Sequence, residues 1–492
     1  MLPQPEATLR APRSAPVRRV GPWRVQFEML AVIGLMSLPA FSGAAKVLRP
    51  GFPVLTLAFA AFLLMRGDYR RYVSFCLWLF LLTPEVRRLV DLRAGWVEPN
   101  MLMLAPYLCG ALSLGTLAFA LTSPRHPISL GLVLMAFASL YGFLISPISG
   151  TFLAGGYDFL RFIIPPCFGL AIAMNVGSHD ILRADLRALL VLSLTLVGGY
   201  AIYQFWYLPS WDATWMENAK MESIGSPEPF KVRSFSTLNS PGSLAIFLMI
   251  ALTMTIGTRG WLRWPAMAIG TFALSLTVVR AAWIGMALVF FFYVLAAPAR
   301  TRGSVVLLCI AGVFAAPFVL VNEQANELIT QRLSTLTNLS ADQSANDRLA
   351  AYRSLGDDLQ SSLLGKGLGT TGSYQSASGE GNATVVDGGP IEIILKIGLL
   401  GAFVYYAGVL VLMVQLFFPV LRNRPRDGDF LAACRAVALT GIVLQASSPS
   451  TVGEMGLFMW LAVGFGLASI QRSDARMAAA PAAPDTARAA TA

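Results

Sequence analysis

Apolar runs of roughly membrane-crossing length recur along the chain, separated by short polar connections. A bilayer crossing needs about 20 mostly apolar residues. Fourteen stretches approach that pattern, at 27–42, 47–65, 70–83, 100–121, 128–148, 159–176, 187–209, 241–257, 264–279, 282–297, 303–321, 389–415, 430–447 and 454–470. Several are short, so the expected count is 12–14. In lipid every backbone N–H and C=O must be paired within its own segment, so these stretches should be helices. The pattern predicts an all-α, polytopic membrane protein whose integral domain covers 27–470. The Pro- and Arg-rich segment 1–26 and the segment 471–492, which ends Ala/Pro-rich, are expected to be disordered tails.

Two segments break the rhythm. Residues 210–240 carry Trp211, Trp215, Pro227 and Pro229, and 322–388 form the longest hydrophilic stretch. Loops of such length usually serve function. Within the second, Leu349, Tyr352, Leu355, Leu359 and Leu363 recur at steps of three or four. That spacing predicts an amphipathic helix over 347–364, lying on the membrane surface or against span ends. Gly365, Gly367 and Gly369 should stop it. The GKGLG string lacks the GxxxxGK[ST] spacing of a phosphate loop and reads as turns.

Charge orients the chain. The connections on the side of the termini hold 21 Lys and Arg, whereas the short loops opposite hold Lys46, Arg49, Arg87, Arg88, Arg93 and Arg280. By the positive-inside rule both termini are cytoplasmic, and 210–240 and 322–388 face outward. The net charge of +10 is thereby a topology signal, and nucleic acid is not an expected partner. All five cysteines (Cys76, Cys109, Cys167, Cys309, Cys434) fall in apolar runs without a CxxC pair, so buried thiols are expected. His126 and His179 lie in turns on the cytoplasmic side and are too few for a metal cluster. No metal site and no cofactor are expected.

The candidate chemistry is cationic. Arg233 precedes one span, Arg280 caps another, and Arg348 and Arg353 sit on the loop helix, five residues apart and so not on one narrow face. Guanidinium forks match phosphate oxygens and keep their charge at any accessible pH. An arginine at a span end also fits simple snorkelling to the headgroups. Glu392 and Lys396, four apart inside a span, suit a self-neutralising pair, as do Asp158 and Arg161.

Four strings, in this order, resemble the O-antigen ligase and polymerase superfamily of bacterial envelope glycan assembly. RSFSTLNSPGSLA resembles its outer-loop Arg followed by an Asn-Pro-type helix start. LTVVRAAWIG resembles its Thr-x-Ser-Arg-Gly-Ala span end, with Val279 and Ala281 in place of Ser and Gly. DRLAAYRSLGDDLQSSLLGKGLG resembles its Arg-x-x-x-Trp…Gly-x-Gly loop helix, with Tyr352 in place of Trp. DGGPIEIILKIGLLGAFVYY resembles the span entry at which ligases carry a histidine. The likeness covers about 230–415. It implies a GT-C-like helical fold in a bacterial inner membrane, with a long periplasmic loop containing an amphipathic helix. It also implies glycosyl transfer from a polyprenyl-diphosphate-linked glycan to a glycan acceptor, without metal, in O-antigen or exopolysaccharide synthesis. Membrane lipids, a flippase and a chain-length regulator are the further partners it implies. Counting back from Gly398, the ligase histidine position falls on Asp387, and no histidine lies on the outer side. That departure favours a polymerase over a ligase acting on a lipid or protein acceptor. Arg280, Arg348 and Asp387 become the expected catalytic residues, with Arg233, Arg353 and Glu392 binding diphosphate or glycan. Asp387 also fits a plain N-cap for the helix starting near Pro390. A secondary transporter of an anionic or amphiphilic solute is the rival from another class, though no repeat and no acid-rich midplane mark it.

Overall fold

The computed structural model describes residues 20–219, 224–256, 258, 260–296, 303, 363–370, 388–421, 428–446 and 448–479. All regular structure among them is helical. In chain order the helices are α1 (Pro22–Ser37), α2 (Ala45–Met65), α3 (Tyr69–Ala94), α4 (Ala105–Ala111), α5 (Gly115–Thr122), α6 (Ser129–Ile145), α7 (Phe152–Met174) and α8 (His179–Tyr207). There follow α9 (Ser210–Ala219), α10 (Pro241–Ile256), α11 (Arg263–Leu276), α12 (Arg280–Ala296), α13 (Gly389–Leu421), α14 (Gly428–Leu444) and α15 (Gly453–Ala479). Among the described residues seven segments are long and apolar enough to cross a membrane: Pro22–Phe41, Ala45–Met65, Met101–Thr122, Phe152–Met174, Val176–Tyr207, Gly389–Phe418 and Gly453–Arg476. Ser129–Ile145, Pro241–Ile256 and Arg280–Leu295 are shorter apolar helices. The chain is therefore a helical protein of the multi-pass membrane type. Every apolar window read from the sequence falls on a helix, except 303–321, of which only residue 303 is described.

Helices α7 and α15 form the centre, with most of their apolar length buried, whereas α1 and α2 bury only about a third of theirs and lie at the edge. Glycines permit the central crossings. A β-carbon at Gly169 would stand 2.5 Å from the carbonyl oxygen of Trp460, and one at Gly408 2.6 Å from that of Gly131. Both distances are below van der Waals contact, so α7 meets α15, and α6 meets α13, at backbone-to-backbone range. This is the small-residue packing that replaces the hydrophobic effect between helices in lipid.

Three boundaries differ from the sequence reading. Helix α3 does not stop near 83 but continues to Ala94, so Arg87, Arg88 and Arg93 are helical rather than in a loop. The first tail ends earlier than 26, because α1 starts at Pro22, a residue preorganised for the first helical turn. The last nine described residues, 471–479, extend α15 instead of opening a tail, and Arg472 pairs with Asp180 at the start of α8. Residues 1–19 and 480–492 lie outside the described residues.

The two ends of the bundle are distinguishable. Arg70 on α3 donates to the carbonyl of Val20 at 3.3 Å and pairs with Asp185 at 2.7 Å, while the α15 end meets Asp180. Both ends of the described chain thus lie beside the start of α8, at the terminal end of the bundle. The opposite, polar end gathers the connections around 95–100, 146–151, 208–240, 277–279 and 445–452, through contacts such as Tyr107 to Glu454 and Ser243 to Glu454.

Candidate functional site

The corner between α11 and α12 brings Arg233 and Arg280 together. A helix leaves its last carbonyls without partners. At the end of α11 these are taken by the segment entering α10. Ser234 N donates to Leu276 O at 3.1 Å, Arg233 Nε to Thr277 O at 3.2 Å, and Arg233 Nη2 to Val278 O at 3.1 Å. The positive guanidinium also faces the negative end of the α11 dipole. Val278 is held at φ +50°, a region that a β-branched residue adopts only under strain. The corner is thus bent sharply and clamped by Arg233, and Arg280 follows it as the first residue of α12, half-buried. A cation at a helix N-terminus opposes the local dipole, whereas an anion there is favoured by both the dipole and the guanidinium.

The clamp is itself held from below. Gln204 on α8 accepts from the amides of Phe235 and Ser236 at 2.9 and 2.8 Å, and its own amide donates to Asp212 on α9 at 2.7 Å. Arg88 on α3 pairs with Asp212 at 2.8 Å and donates to the carbonyls of Leu238, at 2.7 Å, and Ser236. Tyr200 shares its hydroxyl proton between Asp212 and Glu85, and Glu85 pairs with Arg88. Neither Arg88 nor Asp212 has any exposed side-chain surface (0% each). Burial pushes the Asp212 carboxyl up from its ordinary range, against the opposing pull of Arg88. The segment 210–240 is accordingly no open loop: α9 and the strap 233–240 are fastened onto α3 and α8.

A second polar cluster surrounds a break in α13. Gly398 adopts φ 72°, ψ 169°, which interrupts the helix and frees carbonyls one turn earlier. The glycine turn at 365–369 fills the gap: Lys366 N donates to Leu395 O at 2.8 Å and Gly367 N to Lys396 O at 2.9 Å. Its far side is tied down by Leu368 N to Gly142 O at 3.0 Å, Ser146 Oγ to Leu368 O at 2.8 Å, and Gly369 N to Asp158 Oδ2 at 3.0 Å. All three glycines have φ between +83° and +95°. GKGLG is therefore a turn that plugs a broken helix. Beneath it Lys396 bridges Asp158, at 2.8 Å, and Glu392, at 2.6 Å, and Asp158 also pairs with Arg161 at 3.3 Å. The two local pairs expected from the sequence both form, and Lys396 joins them into one network between α7 and α13.

Of the six candidate residues, Arg233 and Arg280 share the corner, and Glu392 belongs to the Lys396 cluster. Arg348, Arg353 and Asp387 lie outside the described residues, as does the helix expected over 347–364 apart from Leu363 and Leu364. Sequence reasoning passed over Arg88, Gln204 and Asp212. An arginine followed by further helix-compatible sequence at 84–94 was the available signal for Arg88. Gln204 and Asp212, eight apart across a turn, left no pattern. Cys76, Cys109, Cys167 and Cys434 are buried free thiols, and Cys309 lies outside the described residues. Among the described residues no group of three or more His, Cys, Asp or Glu side chains is arranged to hold a metal ion. A scan of protein-family models gives no match to this chain, and no curated protein matches it in sequence.

Proposed function

We propose that the protein is a glycosyltransferase of the bacterial inner membrane that polymerises polyprenyl-diphosphate-linked oligosaccharide repeats on the non-cytoplasmic face. In this reading the described helices and the window 303–321 make about fourteen crossings in a GT-C-like arrangement. The terminal end is cytoplasmic and the polar end faces outward. The observation that carries it is the corner at 277–280. Arg233 is consumed in fixing the strained turn, and Arg280 is thereby set at the first position of α12, where guanidinium and helix dipole together favour an anion. The donor's diphosphate is such an anion.

An acceptor sugar hydroxyl attacks the anomeric carbon of the donor glycan, and the bond from that carbon to the diphosphate oxygen breaks. The electron pair leaves with the lipid diphosphate, whose developing charge Arg280 stabilises, with Arg348 and Arg353 delivered from the long loop. The hydroxyl proton passes to Asp387. Electrostatic stabilisation of this kind is commonly the largest single catalytic contribution. Arg233 acts as a positioning residue. Glu392, already bound to Lys396, belongs to the glycan side rather than to the diphosphate.

The test is a deletion strain complemented with variants. Deletion should abolish the polymer and accumulate single lipid-linked repeats, and Arg280→Lys should restore the polymer poorly, since a point charge loses the two-pronged contact. Unchanged polymer in the deletion strain overturns the reading. One observation favours a transporter instead: α13 is interrupted beside buried charges, as in carriers. The freed carbonyls are, however, occupied by the glycine turn and the charges by one another, which leaves no open ligand set there among the described residues. Loss of solute uptake with polymer intact would favour the transporter.

A further inference from the structure

At the polar end the strap runs on from the Arg280 corner to a further polar cluster, which the reaction above leaves unused. Glu454, in the first turn of α15, accepts from Tyr107 on α4 at 3.1 Å and from Ser243 on α10 at 3.3 Å. Ser240 donates to Ser243 at 3.0 Å, and Asn239 beside it reaches the sulfur of Met103, four residues before Tyr107, at 3.8 Å. Arg161 on α7 completes the cluster. A β-carbon on Gly453 would stand 3.1 Å from both Nε and Nη2 of Arg161, so the guanidinium lies against the backbone next to Glu454 and within electrostatic reach of that carboxylate.

The cluster is rich in hydrogen-bonding groups and is not saturated. Of the five N–H donors on a guanidinium, Arg161 places one on Asp158, at 3.3 Å, among the described residues, and its side chain keeps 24% of its surface exposed. A carboxylate has about four acceptor sites, and Tyr107 and Ser243 fill two of those on Glu454. The Oδ1 of Asn239 has no hydrogen-bond partner, and its amide meets the weakly accepting Met103 sulfur. Donors and acceptors thus stand open in one cluster, on α7, α15 and the strap. The charge is opposite to that of the corner. Arg161 and Lys396 face Asp158, Glu392 and Glu454, two cations against three carboxylates. Arg87, which also reaches Tyr157 beside Arg161, is held by Asp91 and Glu98. A diphosphate only accepts hydrogen bonds and would be repelled by Glu454. A neutral polyol, whose hydroxyls both donate and accept, satisfies both halves of the set.

We propose that this cluster is a subsite for the acceptor glycan, which it holds by the ring hydroxyls of a neutral sugar unit. Glu454 accepts from the hydroxyls, Arg161 donates to a neighbouring sugar oxygen, and Asn239 does both. The inference rests on the glycosyl-transfer reading and adds to it a division of labour, with diphosphate at the Arg280 corner and acceptor glycan at Glu454. Arg233 and Ser240, at the two ends of the strap, are seven residues apart and so no more than about 25 Å.

The test titrates the full-length protein in nanodiscs with two probes. One is the diphosphate-free oligosaccharide repeat, released by mild acid from the lipid-linked repeats of the host strain, and the other is a long-chain polyprenyl diphosphate. Glu454→Gln and Arg161→Gln should each weaken oligosaccharide binding about tenfold and leave diphosphate binding unchanged. Asn239→Ala removes a carbonyl that has no hydrogen-bond partner in the protein. It should weaken oligosaccharide binding about fivefold at an unchanged unfolding midpoint, which a merely structural role would not produce. Binding of diphosphate without oligosaccharide in the wild type overturns the acceptor subsite and leaves the transfer reading standing, whereas binding of neither overturns both. Unaltered oligosaccharide affinity in folded Glu454→Gln and Asn239→Ala variants also overturns the subsite, and so does an equal loss of both ligands in all three variants.

Discussion

Replacing Gly398 by alanine should destabilise the protein through two separable effects. The first is conformational. At φ 72°, ψ 169° the residue occupies a region open essentially to glycine alone. Forcing alanine there costs about 1–3 kcal/mol. The second is steric. A β-carbon would stand 2.5 Å from the carbonyl carbon of Leu364 and 2.7 Å from the amide nitrogen of Gly365. These are backbone atoms of the plugging turn, itself bonded to Leu395 and Lys396, so relief requires the turn to move. Overpacking of this kind costs about 1–3 kcal/mol. Together the loss is about 2–6 kcal/mol, a large part of a typical total stability of about 5–15 kcal/mol. Gly401, three residues on, is the internal control. The atoms nearest its added β-carbon belong to side chains, Ile397 at 3.1 and 3.3 Å and the Tyr141 ring at 3.3 Å, and alanine there regains helix propensity of about 1 kcal/mol. Thermal unfolding of both variants in detergent reads the difference. Gly398→Ala should unfold well below wild type and Gly401→Ala close to it. Equal midpoints for the two variants would refute the plugged-break geometry.

The remaining expectations concern the fastening and the loops. Arg88→Met leaves Asp212 buried without its ion-pair partner and removes the donor to Ser236 and Leu238, so stability should fall by about 3–5 kcal/mol in the same unfolding assay. A loss under about 1 kcal/mol would mean that the strap is held some other way. Asp387→Asn keeps a capable N-cap but removes the base; polymer should be lost at normal protein level, and a normal yield would leave Asp387 as a cap only. Topology reporters fused at Gly379 and Asp427 should report opposite sides of the membrane, and agreement between them would remove the outward-facing site.

The sequence made the helices legible because a membrane segment must carry its own apolar length, whatever it packs against. Local ion pairs were legible for the same reason: Glu392–Lys396 and Asp158–Arg161 are set by helical spacing alone. What stayed hidden depends on partners distant in sequence. The apolar pattern through Gly398 is unbroken, so the break shows only when the 365–369 turn is seen donating into it. Helix α3 was cut short because Arg87 and Arg88 end its apolar window, while Asp212, one of the two acids paired with Arg88, comes from α9. Arg233 and Arg280 do lie at one end of the bundle, at the same corner. Their roles could not be separated until Arg233 was found bonded to the very carbonyls that precede Arg280. Segment 210–240 read as a loop because its helix α9 is short and polar, and its burial rests on Gln204 and Arg88.

The central claim is that the 277–280 corner presents Arg280 to a lipid diphosphate. Direct binding tests it most simply: the purified protein in nanodiscs is titrated with a long-chain polyprenyl diphosphate and, separately, with the matching monophosphate. The diphosphate should bind more tightly. Arg280→Lys should weaken it at least about tenfold with an unchanged unfolding midpoint, reflecting a lost bidentate contact of about 1.5–3 kcal/mol, while Arg263→Lys at the far end of α11 should bind as wild type does. Absence of binding, or equal affinity in wild type and a folded Arg280→Lys variant, would contradict the claim.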